Sequence, residues 1–382
     1  MKIIIAMDSF KGSLSSVAAG AAVKEAILAV DPTAEARVCP LADGGEGTVR
    51  AVVSATGGRL VTVEVTGPLG APVAAEYGLL PDGRTAVIEM ATAAGLVLVP
   101  ECERDPMNTT TYGVGELIAH AMREHGCRRF LVGIGGSATN DGGIGMLSAL
   151  GFRFLDREGK PVRGFGRDLG ALCAIDTSGA MPELADCEFR IACDVKNPLC
   201  GEEGCSRVYG PQKGADAETV RNMDAWLSHY AELTRAALPH ADKNAAGAGA
   251  AGGLGFAFLS YLGGRLVSGI DLVIAETHLE EKIAAADLVI TGEGRLDGQS
   301  CMGKAPVGVA ACAKKHQKPV IAFAGAVTPD AWAVNAHGID AFFPILRTPT
   351  TLAEAMDEAN AYRNLRDTAE QAIRLFVCAK RT

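Results

Sequence analysis

Lys2 to Ala6 is a short apolar run that stops at a charged loop, the pattern of a strand buried on both faces. A strand hidden on both sides needs helices above and below it, so the chain opens as an α/β fold with a parallel sheet. The next segments agree. The loop Asp8 to Ser13 leads into an Ala-rich helix, Ser16 to Val30, stopped by Asp31 and Pro32. A second strand, Ala36 to Leu41, enters Asp43-Gly44-Gly45-Glu46-Gly47-Thr48, and a helix runs on to about Thr56. The C-terminal third repeats this logic, with strands at 287–291, 319–324 and 339–346, a helix at 304–315, and one long closing helix or two over 351–379.

Between these ends the periodicity changes. Leu60 to Thr66, Val73 to Leu80 and Thr85 to Met90 alternate as short strands, the last two joined by Pro81-Asp82-Gly83. Such a meander does not belong inside a purely parallel sheet. The expectation is therefore a Rossmann-like parallel-sheet domain, residues 1–58 and 287–382, interrupted by an inserted mixed α+β domain, 59–286.

Charge and cysteine content exclude several functions. Thirty-six basic against 45 acidic residues give a net charge of -9, which repels nucleic-acid backbones and anionic membranes. The eleven cysteines include no C-x-x-C pair, so the reading is reduced thiols in the cytoplasm, with neither a disulfide framework nor a zinc site. Asp8 breaks the N-terminal apolar run too early for a signal peptide. The longest uncharged stretch, Ala245 to Gly264, is mostly Gly and Ala, too weakly apolar to span a membrane. No G-x-S-x-G elbow has triad partners, and the seven histidines form no metal spacing; His120 and His125 read as surface residues.

The 46 glycines gather in loops. Gly133-Ile134-Gly135-Gly136-Ser137-Ala138-Thr139-Asn140-Asp141-Gly142-Gly143 follows the strand Arg129 to Val132 and precedes the helix Ile144 to Leu150, as an anion-binding loop would. It is equally a tight turn capped by Asn140 or Asp141. It also matches G-x-G-x-x-A, with Asp156 about twenty residues on, as a dinucleotide site requires, although Asp156 sits in a turn-like DREGK string. Gly298 to Lys304 has P-loop spacing, but Ala305 replaces the Mg²⁺-binding hydroxyl. Two further glycine loops carry Asp43 with Glu46, and Glu293 with Arg295 and Asp297. Each follows a strand of the parallel sheet and lies at its carboxyl edge, where open α/β folds bind ligands. Asp194 and Asn197 follow the strand Phe189 to Ala192, while Lys11 and Lys213 lie in glycine-containing loops where a cation can offset phosphoryl charge.

In this order, DSFKGS, ADGGEGT, TGPLG, GIGGSATNDGG, CDVKNPL, GPQKGA, GAGAAGGLG and TGEGRLDGQSxxGKxPxGVA resemble the type-1 glycerate kinase family over essentially the whole chain. The resemblance implies ATP-dependent phosphorylation of D-glycerate, favouring the 2-hydroxyl, in glyoxylate or sugar-acid catabolism, with Mg²⁺ as the metal and the active site in the interdomain cleft. In that reading Gly135, Gly136, Ser137, Thr139, Asn140, Asp141, Lys213 and Lys304 bind the nucleotide phosphates. Asp8, Ser13, Asp43, Glu46, Asn197 and Arg295 bind substrate, Asp297 and Glu293 face the metal, and Lys11, Asp194 and Asp297 are catalytic, with Asp194 as the base. A nicotinamide-dependent hydroxy-acid dehydrogenase and a non-catalytic sugar-acid binding protein remain alternatives. The oligomeric state is not legible.

Overall fold

The computed structural model describes residues 1–380, apart from the side chains of Gln299, Met302 and Lys380. In chain order its strands are β1 (Lys2–Met7), β2 (Glu35–Val38), β3 (Arg59–Thr66), β4 (Pro72–Leu79), β5 (Thr85–Glu89), β6 (Arg129–Gly133), β7 (Arg153–Leu155), β8 (Ala174–Asp176), β9 (Glu188–Ala192), β10 (Arg265–Val267), β11 (Leu288–Leu296), β12 (Val320–Val327) and β13 (Ala341–Pro344). The chain divides into two compact units. The first comprises Met1–Asp43, Arg50–Thr56 and everything from Ile270 onward; the second comprises Gly44–Val49 and Gly57–Gly269.

In the first unit a wholly parallel sheet runs β13-β12-β11-β1-β2. The chain winds outward from β1 to β2 on one side and from β11 through β12 to β13 on the other, so the order reverses between β1 and β11. Ligands of open α/β sheets bind outside the strand carboxyl ends at such a point. Ile3, Ile5 and Met7 alternate onto one face and pack with Val23 and Ile27 of the helix Ser16–Val30 and Leu365 and Ile373 of the helix Glu358–Lys380. Each fully buried aliphatic side chain there contributes about 1.5–3 kcal/mol. The closing segment is two helices, Leu352–Met356 and Glu358–Lys380; Thr351 and Glu354 form a capping box on the first.

Two expectations change here. Residues 270–286, expected in the inserted domain, pack with the first unit, where a Cβ on Gly308 would stand 2.7 Å from the Ile270 side chain. The strand expected to end at Thr291 continues to Leu296, so Glu293 and Arg295 lie on β11, paired with Ala324 and Ala326, and not in a loop. The glycines permit this instead of breaking the strand. A Cβ on Gly292 would lie 2.2 Å from the Phe323 carbonyl oxygen, a packing distance only glycine allows.

The second unit is built on a mixed sheet in the order β10-β9-β6-β5-β4-β3. β3, β4 and β5 form the antiparallel meander, and β5, β6, β9 and β10 run parallel. Asp82 fixes the turn before β5 by accepting the Arg84 and Thr85 N–H groups. β7 and β8 pair in a separate two-stranded ribbon. A core of its own, including stacked Phe130 and Phe189 rings 4.9 Å apart, fills this unit. The glycine-rich stretch holds a helix, Ala250–Tyr261, broken by left-handed residues at Ala251, Gly252 and Gly253. No helix of the described residues is long and apolar enough to cross a membrane.

Candidate active site

In the second unit, β5, β6 and β9 deliver their carboxyl ends side by side, with Glu89 level with Gly133 and Gly133 level with Ala192. The 133–143 loop leaves from the middle strand. Its backbone is stapled to the segment after β5, since Leu96 N–H donates to the Gly136 carbonyl and Ala138 N–H to that of Ala94. Gly135, Gly136 and Ser137 donate their own N–H groups to no acceptor among the described residues, and Gly136 takes φ +74°. Successive unpartnered N–H groups around a left-handed residue make a concave anion site.

Beyond Ser137 the loop turns inward. Asp141 is fully buried and accepts from the Thr111 N–H at 2.7 Å, the Thr111 hydroxyl at 2.7 Å, and the Gly143 and Gly145 N–H groups at 3.0 and 3.3 Å. Burial pushes its carboxyl up, and these four donors hold it against that. Asn140 donates to the Ser206 hydroxyl at 2.8 Å. Thr139, Asn140 and Asp141, expected to touch phosphate, are all buried here, and Thr139 Oγ1 and Asn140 Oδ1 have no hydrogen-bond partner among the described residues. The Lys213 ammonium, 2% exposed, donates to the Ser137 hydroxyl at 2.8 Å and the Thr139 carbonyl at 2.5 Å. Burial lowers its pKa to about 8.

The ADGGEG string closes against the same edge. A Cβ on Gly44 (φ +87°) would meet the Ala192 Cβ at 2.5 Å, and one on Gly133 the Gly44 carbonyl oxygen at 2.3 Å. Two glycine strings thus pass backbone to backbone, which is one reason they are glycine. Glu46 is exposed there. Asp194 is exposed two residues past β9 and accepts the Gly269 N–H at 3.1 Å. Asn197 donates to the Glu203 carbonyl at 2.8 Å and accepts the Tyr209 hydroxyl at 2.7 Å, so both ends of its amide fix the loop. Glu89 and Thr111 escaped the sequence reading. Glu89 accepts the Gly47 and Val49 N–H groups at 3.2 and 2.6 Å and caps the helix Thr48–Thr56. Their signals were an acid closing an otherwise apolar strand and a run of three threonines, 109–111.

The first unit carries its acids at the reversal of strand order. Asp8 follows β1, is 5% exposed, and donates its N–H to the Gly292 carbonyl at 2.9 Å. Burial, the Asp43 charge and, more weakly, that of Glu293 push it up to about 7, against the Ser9 N–H and Lys11. Glu293, also pushed up by burial, accepts the Ser300 hydroxyl at 2.6 Å. Asp297 stands 3.4 Å from Arg295 Nε and 3.7 Å from Lys304 Nζ. Lys304 occupies the N-cap position of the helix Ala305–Lys315. The Ser13 hydroxyl oxygen is buried without a hydrogen-bond partner among the described residues, and Lys11 is exposed. Asp8, Asp43 and Glu293 are thus within electrostatic reach of one another.

No group of three or more His, Cys, Asp or Glu side chains able to hold a metal ion occurs among the described residues. Mg²⁺ bound together with a nucleotide asks for less, one or two carboxylates besides phosphate oxygens and water. Glu293 and Asp297, close enough for the Asp297 charge to raise Glu293, fit that smaller role. The dinucleotide reading loses its acid. Asp156 lies in a turn beside the β7–β8 ribbon, where its carboxylate accepts the Glu158 and Lys160 N–H groups.

A family model described as the glycerate kinase family matches residues 3–377. The chain belongs to the glycerate kinase family. It is 50% identical over 371 residues to a glycerate kinase of Bacillus subtilis, covering 97% of each chain. It is 50% identical over 366 residues to a glycerate 2-kinase of Escherichia coli, covering 96% of this chain and 95% of that one. A crystal structure described as a glycerate kinase 2 of Salmonella typhimurium superposes with a TM-score of 0.90 at 48% identity, over 100% of both chains. As a glycerate kinase the protein is an enzyme, and its mixed α/β fold is that of the Salmonella typhimurium structure.

Proposed function

We propose that the protein transfers the terminal phosphoryl group of ATP to the 2-hydroxyl of D-glycerate, with Mg²⁺, and releases 2-phosphoglycerate. The observation that carries the nucleotide half is the row of unpartnered N–H groups at Gly135, Gly136 and Ser137 beneath which Lys213 lies. Backbone donors fixed in place stabilise phosphate charge without reorganising. The substrate and the position of the hydroxyl rest on the relatives, of which one is named a glycerate 2-kinase. Asp156, the acid that the glycine fingerprint offered for a nicotinamide ribose, is held in a turn by the Glu158 and Lys160 N–H groups, which disfavours the dehydrogenase reading.

In this reading Mg²⁺, when bound, neutralises phosphate charge between nucleotide and protein. Glu293 and Asp297 hold the metal side, with Arg295 and Lys304 keeping Asp297 oriented. Lys11 faces anionic oxygens, the glycerate carboxylate among them, and Asp8, Ser13 and Asp43 hold glycerate hydroxyl groups. Asp194, an exposed residue whose Oδ1 accepts the Gly269 N–H, accepts or orients the hydroxyl proton. The eleven cysteines are free thiols, which supports a reducing, cytoplasmic location in sugar-acid or glyoxylate catabolism. Incubation with ATP, Mg²⁺ and D-glycerate, followed by phosphorus NMR, tests the proposal. 2-Phosphoglycerate supports it; 3-phosphoglycerate reverses the hydroxyl, and turnover unchanged in excess chelator removes the metal.

A further inference from the structure

Lys213 looks from the sequence like a phosphate ligand, yet the fold seals it away. Its ammonium sits below the glycine loop and spends two of its three N–H donors on that loop, on the Ser137 hydroxyl and the Thr139 carbonyl. The turn bearing it is rigid, because Gly214 takes φ +97° with the Arg104 carbonyl oxygen 1.9 Å from where a Cβ would be. A Ser137 hydroxyl that accepts from an ammonium must point its own hydrogen elsewhere. The neighbouring N–H groups of residues 135–137 have no acceptor among the described residues.

We propose that Lys213 is a positioning residue: a buried charge that orients Ser137 and makes the 135–137 loop attractive to phosphate without touching the nucleotide. A cation in a low-dielectric interior is felt several ångströms away, where a solvated lysine would be screened. The groups facing it are Asp141 from the same loop and Cys205 from the helix Cys205–Tyr209. Cys205 is pushed up to about 12 by burial and stays neutral at ordinary pH. Asp141 partly offsets the lysine and keeps it protonated, while its own charge is spent on four donors.

The consequence is a pH dependence that a structural lysine would not give to phosphate recognition alone. With burial lowering Lys213 to about 8, the charge is present at neutral pH and lost as pH rises above that value. The inference rests on the proposed nucleotide site. Binding of ATP and of adenosine to the full-length protein is measured by calorimetry between about pH 7.5 and 9.5, above the range in which phosphate groups, with a second pKa of about 6, titrate. The ATP dissociation constant should rise above pH 8 by up to about tenfold per pH unit, the limit for one linked proton, while that of adenosine stays level. Lys213→Met should bind ATP at least about tenfold more weakly at neutral pH and show no such rise. If that variant does not fold, the wild-type comparison alone decides. An ATP affinity independent of pH, or adenosine moving in parallel with ATP, overturns the role of Lys213 but leaves the nucleotide reading in place. Failure of ATP to bind at all at neutral pH removes both.

Discussion

Thr111→Val isolates what holds the glycine loop from inside. The substitution keeps shape and burial but deletes the hydroxyl that donates to Asp141 at 2.7 Å and accepts the Met146 N–H at 2.9 Å. Losing a hydrogen bond to a charged acceptor costs roughly 1.5–3 kcal/mol, and leaving the buried Met146 N–H without a partner costs about 1–3 more. The lower half of that range applies. Asp141 keeps three N–H donors, and a carboxyl already pushed up by burial can take a proton to relieve the strain. The expected loss is therefore about 3 kcal/mol, against about 1 for Thr111→Ser, which keeps the hydroxyl and drops a methyl. Trp226 lies in the second unit and Trp332 in the first, so urea unfolding followed by fluorescence in a Trp332→Phe background reports the unit concerned. A lower midpoint at unchanged slope is the expected signature. If Thr111→Val loses no more than Thr111→Ser, the Thr111 hydroxyl does not support Asp141.

Further outcomes are expected in the two units. Lys11→Ala should lower kcat/KM by at least ~10²-fold, about 2.7 kcal/mol of transition-state stabilisation, with an unchanged melting temperature; near-normal kinetics would make it a solvated surface lysine. Asp194→Asn should depress single-turnover chemistry far more than nucleotide binding, and Asp297→Asn should be the variant partly restored by raising Mg²⁺. Rescue of Asp194→Asn alone would exchange the two roles.

Much of this architecture was legible in the chain because its strongest signals are local. The apolar run at β1, the Ala-rich helix after it and the alternating meander of β3 to β5 each report burial through spacing alone. The extension of β11 through Gly292 and Gly294 was not legible, since a glycine that ends a strand and one that lets a neighbouring backbone approach look alike until the neighbour is placed. The site divides in the same way. Acids that follow β1 and β9 were readable from strand direction, but which loop residues turn inward depends on long-range partners. Asp141 meets Thr111 across thirty positions, and Lys213 meets Ser137 across seventy-six. A ringed carboxylate, a sealed ammonium and phosphate ligands share one sequence appearance.

The most direct test of glycerate phosphorylation by this chain is the product formed from ATP and D-glycerate, resolved by phosphorus NMR with and without a chelator. 2-Phosphoglycerate and ADP are expected in equal amounts, and neither should form when Mg²⁺ is removed. Absence of any phosphorylated glycerate, with the folded protein and both substrates present, would contradict the assignment.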